Sequence, residues 1–402
     1  MSSVTQICKD AYDRGDLKEA RTLVFQALNQ AADHNSIQIL CGIVVNRDND
    51  GYFQKSFLEA LLKKGIFRIG ALHKLASSEE KLLRKIILKD IGPVAKLALS
   101  FLSKGAQITA IDGGATGSKM YEEFDGWPND RWLVVGFDPS DSAVLDSDQN
   151  SNLEMHRVAL SDRVGTSLLY ETRIGGASSF FAPNKEYLKD WSKFHSDGLE
   201  VVDTHEVETV TLDSLFEGDT RTIDYIKLNV QGAELAILKG ASSHLNSTMG
   251  IQLEVSFVDH YSNTPGFGDI DRFMRTNGFI LFDIRKTNHV QRKRRRTASA
   301  TNFGPRTADF SWPTTQVYEA IVLYLRDPFH PSEANNPIWQ KRDSWLKLAV
   351  IAEIQGQLDF AIQLLEKVEA DPSLVSGDAL TAFTQQLDKV YEVYEAINVR
   401  HY

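Results

Sequence analysis

The chain has 402 residues, 42% apolar and 24% charged, a composition ordinary for a globular protein that argues against disorder as the default. Its length exceeds one small core, and a formal charge of −10 argues against general nucleic-acid binding, because neutralising phosphates needs an excess of Lys and Arg. Its two cysteines, Cys8 and Cys41, have no CxxC spacing, no leader pattern opens the chain, and no apolar run reaches the roughly 18–20 residues of a membrane span, so a cytoplasmic protein is expected.

Residues 1–100 read as a helical region. Leu17, Ala20, Leu23, Val24, Ala27 and Leu28 recur at helical spacing, stretches 55–64 and 79–88 carry similar patterns, and Ile91-Gly92-Pro93 is a break. From Ile108 short apolar runs alternate with helical ones. The pattern predicts strands at 108–112, 132–138, 154–159, 225–229, 250–257, 279–284 and 317–325. Helices are expected at 119–124, 233–244 and 269–276, and additional strands at 166–171 and 205–212. Such alternation indicates a mostly parallel sheet covered on both faces. No helical pattern separates the last two strands, so they are expected to pair antiparallel at one edge. The tail, 331–402, returns to helix. There Gly356-Gln357-Leu358-Asp359-Phe360-Ala361 echoes Gly15-Asp16-Leu17-Lys18-Glu19-Ala20. The echo marks either two unrelated helical hairpins or one module from both termini, a means of self-association.

The densest chemistry lies in ITAIDGGATG (108–117) and GFDPSD (136–141). A strand ends at Asp112, glycines follow at Gly113, Gly114 and Gly117, and a second strand ends at Asp138. A glycine turn between strand and helix lets backbone approach a ligand closely. A GxGxxG frame ending at Gly117 would need Gly at position 112. The Asp found there would repel a pyrophosphate and suits a cofactor carrying an ammonium and a sulfonium, which points to S-adenosylmethionine (SAM) rather than a dinucleotide. Ala115, Thr116 and Pro139 complete the two turns. Asp138 is placed either to accept hydrogen bonds from a ribose diol or to cap its strand. Ala159 and Leu160, in MHRVALSD (155–162), would flank the adenine.

The ordered motifs IDGGATG, GFDP, VALSDRVGTSLLY, ASSFF, VTLDSLF, DYIKLNVQGAELAILKGA and LEVSF, over roughly 105–328, resemble the FkbM family of SAM-dependent methyltransferases. The resemblance implies a Rossmann-like class I methyltransferase fold, with a seven-stranded, mostly parallel sheet and an antiparallel edge strand at 101–330, flanked by helical extensions at 1–100 and 331–402. It implies SAM binding at Asp112, Gly114 and the turn around Gly117, with Asp138 on the ribose, and transfer to oxygen of a saccharide or another small hydroxylated metabolite. Three positions depart from the family pattern. Thr116 replaces Asn, Ser118 stands where the last glycine of the turn falls, and Asn229 stands where the fourth strand ends in Asp, with Gln231 at the position of Glu or Gln. An Asn cannot act as a base.

A hydroxyl nucleophile benefits from a base at the carboxyl ends of the strands. Glu254 and His260 are the candidates, and each has a second reading, a satisfied buried acid and an exposed loop histidine. Asn229 and Gln231 are placed to orient acceptor or cofactor, and Asn229 counts as cofactor-binding as well. Glu234 reads as a first-turn acid complementing its helix. No metal is expected, although Asp259-His260 with distant acids is an alternative. Segment 174–197, rich in Gly, Ser and aromatics, is either a substrate lid or packed aromatics. Arg292–Arg296 is either a solvated run or an anion anchor. The alternative functions are methylation of RNA, protein or lipid, and a SAM-binding regulator without turnover.

Overall fold

The computed structural model describes residues 11, 14, 17–30, 92–116, 120–124, 127–140, 152–290, 292 and 316–398. The stretches 55–64 and 79–88 expected to be helical, Cys8, Cys41, Gly117 and positions 293–296 lie outside the described residues. The chain divides into two compact units, Met1–Leu97 with Gly377–Tyr402, and Ala98–Ser376. In the first, Leu17–Gln30 and Gly377–Asn398 are helices. No helix among the described residues is long and apolar enough to cross a membrane.

The second unit is built on a seven-stranded sheet. Its strands are β1 (Ile108–Gly113), β2 (Trp132–Phe137), β3 (Leu153–His156), β7 (Tyr225–Leu228), β8 (Gly250–Ser256), β9 (Phe279–Val290) and β10 (Gln316–Arg326), in the spatial order β3-β2-β1-β7-β8-β10-β9. Neighbours from β3 to β8 pair parallel, whereas β10 runs antiparallel to both β8 and β9. Every residue of β1 and β2 is buried, including Thr109 and Asp112, so these strands lack the alternation of a half-exposed sheet. The chain moves outward from β1 to β3 and returns on the other side of β1 as β7. That reversal opens a crevice at the carboxyl ends of β1 and its neighbours, the usual ligand position in open α/β sheets.

A second sheet has the order β4-β6-β5, from β4 (Ala159–Leu160), β5 (Gly165–Thr172) and β6 (Val201–Val210). The expected strand 154–159 is therefore interrupted. It pairs with β2 through His156, and the chain then crosses at Arg157-Val158 to pair Ala159 with Thr209 of β6. Other differences concern element ends. The helix expected at 233–244 is α1 (Glu234–Lys239) followed by turns, and β9 runs on to Val290. The helix expected at 119–124 is a 3-10 turn, Met120–Phe124, with Lys119 outside the described residues. A further helix, α2 (Phe267–Thr276), covers the sheet with Ile270 and Met274 buried.

Helices α3 (Arg342–Ile354) and α4 (Leu358–Ala370) belong to this unit, which runs to Ser376 rather than ending near 330. The reason is visible in α3. Residues 344–354 are all buried, and Lys347 Nζ reaches both carboxylate oxygens of Asp224 at 2.9 Å, just ahead of β7. Asp224 also accepts from the Thr109 amide at 2.9 Å, and burial raises its pKa against the pull of Lys347. The helix is thus tied to β1 and β7 by a buried charge pair. Gly356 turns α3 into α4 with φ +73°. The two echoed segments open helices at Leu17 and Leu358, which fall in different units.

Candidate functional site

A cavity of about 800 Å³ opens at the carboxyl ends of β1, β2 and β7, a size suited to a small organic ligand. Its floor is the turn after β1. A Cβ on Gly113 would meet Leu228 Cδ2 at 2.6 Å, and one on Gly114 would meet the carbonyl oxygen of Asn229 at 2.1 Å. Gly114 also has φ +76°, where an L side chain is strained. The turn is pinned on both sides. The Gly114 and Ala115 amides donate to the Phe137 carbonyl at 3.0 and 3.2 Å, and the Asn229 amide donates to the Gly113 carbonyl at 3.1 Å. Gly113, Gly114 and Thr116 line the cavity; Ala115 is buried beneath it.

Asp138 lines the cavity next to Pro139 and Ser140. Its Oδ2 accepts from the Thr116 amide at 3.0 Å and its Oδ1 from the Ser140 amide at 2.9 Å. A carboxylate offers about four lone-pair sites. The two backbone bonds orient the group and leave roughly two sites for a ligand diol. Phe137, Ala159 and Leu160 give the same end of the cavity apolar walls.

Asp112 has a different role from the one its sequence position suggested. Parallel pairing sets it opposite Lys227, whose Nζ lies 2.7 Å from Oδ1 and 3.3 Å from the Gly114 carbonyl. Asp112 is buried and does not line the cavity. Its charge is met inside the protein, so it supports the turn rather than facing a cationic ligand.

After β7 the chain makes a strained loop. Gln231 adopts φ +55°, a left-handed conformation uncommon for a side-chain-bearing residue. The loop is held by Glu234, whose carboxylate accepts from the Val230 amide at 3.0 Å and the Gly232 amide at 2.9 Å. Glu234 is 2% exposed, and burial pushes its pKa up to about 7. It is therefore a loop staple, more than a surface acid facing the helix dipole. Asn229, Val230 and Gln231 line the cavity. Gln231 Nε2 donates to Asn229 Oδ1 at 2.9 Å and to Glu254 Oε2 on β8. Its carbonyl accepts from Ser179 Oγ at 2.6 Å, and its Oε1 lies 3.2 Å from the Tyr261 hydroxyl. Glu254 thus reaches the site through Gln231 and is not among the cavity-lining residues.

His260 is neither an exposed loop residue nor a cavity residue. It is 2% exposed, stacked on Trp191 at 5.9 Å and set edge-on to Tyr318 at 5.4 Å. Its Nδ1 lies 3.3 Å from the Val258 carbonyl and its Nε2 3.7 Å from Glu319. Burial lowers its pKa to about 4. Sequence adjacency to the end of β8 did not reveal that the side chain turns into an aromatic cluster. Its two nitrogens face inward, so the Asp259-His260 pair does not supply the metal ligands considered above.

Segment 174–197 divides between its two readings. Gly175, Gly176, Ser178, Ser179 and Phe180 line the cavity, whereas Trp191 is buried against Tyr187, His195, His260 and Tyr318. Arg292, the described member of the basic run, lies over the Tyr187 ring at 5.1 Å and bonds to Gln316.

The outer wall of the cavity is formed by residues that no sequence motif marks as ligand-binding. Leu169 and Glu171 of β5 and His205 of β6 line the cavity, because antiparallel register sets Leu169 opposite His205 and Glu171 opposite Asp203 on one face. Asp203 Oδ2 lies 3.8 Å from His205 Nδ1. Glu171, Asp203 and His205 each bring a ligand atom within 4.8 Å of the others, the one such group among the described residues. Alternation in 205–212 was the available signal, but it could not say which sheet the strand joins.

Residues 128–281 match the family model of the methyltransferase FkbM domain. Magnesium protoporphyrin IX methyltransferase from Synechocystis PCC 6803, solved with bound SAM, aligns at 11% identity over 74% of this chain and 99% of its own, with a TM-score of 0.26. No curated protein sequence matches the chain.

Proposed function

We propose that the chain is a SAM-dependent methyltransferase that transfers to an oxygen of a saccharide or another small hydroxylated molecule. The glycine cradle carries this reading: at Gly114, which lines the cavity, a single added carbon would strike the Asn229 carbonyl, so bare backbone is what lets the turn pack against the end of β7 and form the cavity floor. Beside it, Asp138 has lone pairs for a ribose diol, and Phe137, Ala159 and Leu160 provide an apolar slot for adenine. The FkbM match over 128–281 agrees with this assignment.

SAM supplies a methyl group already activated as a sulfonium, so the protein's tasks are alignment and removal of the acceptor's proton, worth about 10²–10⁴-fold for a well-placed base. Asn229 and Gln231 are amides and orient ligands rather than deprotonate them. Glu254 acts behind Gln231, and His260 is enclosed by aromatics. His205 is the histidine that lines the cavity among the described residues, with Asp203 beside its Nδ1. We assign it the base role, with Nε2 taking the acceptor proton.

Calorimetry with SAM, followed by transfer of labelled methyl from SAM to panels of glycosides, RNA, protein and lipid, tests the proposal. Binding with transfer to glycosides supports it. Transfer only to another panel moves the acceptor class, and binding without transfer marks a SAM-binding regulator. With an active acceptor, His205→Gln should lower turnover about 100-fold and leave SAM affinity unchanged; full activity removes the base assignment.

A further inference from the structure

We infer that Glu254 is a positioning residue: acting through Gln231, it fixes the polarity of the Asn229 amide so that Asn229 offers a donor to the α-carboxylate of the cofactor's amino acid end. The inference rests on reading the cavity as a SAM site.

An amide's oxygen and nitrogen have nearly the same shape, so a side-chain amide ordinarily has two possible orientations. Here the charge at one end of the chain of groups removes the choice. A carboxylate only accepts hydrogen bonds, so the Gln231 atom against Glu254 Oε2 is the nitrogen. That nitrogen has a second hydrogen, which is directed at Asn229 at 2.9 Å, and only Oδ1 can receive it. The Asn229 atom left over is Nδ2, a pure donor. It has no hydrogen-bond partner among the described residues, and Asn229 lines the cavity beside Gly114.

The orientation is rigid as well as defined. Gln231 is held in its left-handed conformation by the Glu234 staple on the amides of Val230 and Gly232, and Ser179 bonds to its carbonyl. Tyr261, which donates to the Ala177 carbonyl at 2.6 Å, closes the remaining side of its amide. The nearby carboxylate of Asp112 is occupied by Lys227. The strand end therefore presents donor hydrogens to a zwitterionic ligand, which suit its carboxylate and not its ammonium. An Asp at position 229 would invert that preference, because Gln231 would still hold one oxygen and the other would face the cavity.

The test uses three probes on the full chain by calorimetry. SAM has both charged groups of the amino acid, decarboxylated SAM lacks only the carboxylate, and 5′-methylthioadenosine lacks the whole amino acid end. The wild type should prefer SAM to decarboxylated SAM by about tenfold or more, the worth of one charge-assisted hydrogen bond. Glu254→Gln, which frees the amides to turn over, should bring that ratio close to one, and Asn229→Asp should bring it below one. Both should keep wild-type affinity for 5′-methylthioadenosine, which shows that fold and adenosine site persist. A Glu254→Gln variant that retains the wild-type ratio overturns the inference. A loss of 5′-methylthioadenosine binding equal to the loss of SAM binding also overturns it, since the residue is then merely structural. If the wild type binds 5′-methylthioadenosine and SAM but not selectively over decarboxylated SAM, the inference fails alone. If it binds none of the probes, the SAM reading fails and takes the inference with it.

Discussion

Gly114→Ala tests the cradle directly. The new Cβ would lie 2.1 Å from the Asn229 carbonyl oxygen, whereas ordinary contact begins at 3.4 Å, so turn and strand end must separate by about 1 Å. Neither partner yields easily. Gly114 donates to Phe137 at 3.0 Å, and the Asn229 amide donates to Gly113 at 3.1 Å. The φ of +76° adds the left-handed penalty of about 1–2 kcal/mol. Overpacking adds about 1–3 kcal/mol, so a loss of roughly 2–5 kcal/mol in stability is expected. Thermal unfolding by circular dichroism reads that loss, and calorimetry with S-adenosylhomocysteine should show affinity reduced at least about tenfold, because the floor of the site has moved. Gly175→Ala is the control. Gly175 lines the same cavity, but a Cβ there meets nothing within 4 Å. A Gly114→Ala protein that melts and binds like wild type would refute the close-approach argument, and an equal loss in Gly175→Ala would show that the effect is not steric.

Asp138→Ala should weaken S-adenosylhomocysteine and 5′-methylthioadenosine together by roughly 10–100-fold without unfolding the protein, as loss of charged acceptors for a diol requires; unchanged calorimetric affinities would remove the ribose assignment. Lys347→Met leaves Asp224 buried without its cation and should cost about 3–5 kcal/mol in denaturant unfolding. In that variant stability should rise as pH falls from 7 to 5, because the raised pKa of Asp224 lets the native state take up a proton while the unfolded chain stays ionised; a flat profile relative to wild type would contradict the buried pair. His260 has the opposite sign. Its pKa is lowered to about 4, so between about pH 6.5 and 4 the unfolded chain binds a proton that the native state refuses, and stability falls with pH. Comparing unfolding at pH 7 and 4.5, His260→Gln should lose part of that dependence; an identical slope would mean the imidazole is not enclosed as described.

Much of the frame was legible locally. The runs at 108–113 and 132–137 are mostly apolar, the first ending in Asp112-Gly113 and the second followed by Asp138, so strand, turn and ligand-facing end could be placed from spacing alone. The absence of a helical pattern before 316 likewise anticipated the antiparallel pairing of β9 and β10. Side-chain direction was less legible. Asp112, His260 and Glu254 stand where chemistry is expected along the chain, yet they point respectively at Lys227, into an aromatic cluster and at Gln231.

Local sequence thus determined where strands stop and where bare backbone is required, because hydrophobic runs and glycine act within a few residues. Which charges are free and which are already met depended on register and layer packing. Asp112 meets Lys227, 115 positions away, only because β1 and β7 are neighbours. His205 reaches the cavity only because the chain leaves one sheet at Arg157-Val158 and builds another. An electrostatic partner is chosen by distance in space, and only the tertiary structure sets that distance.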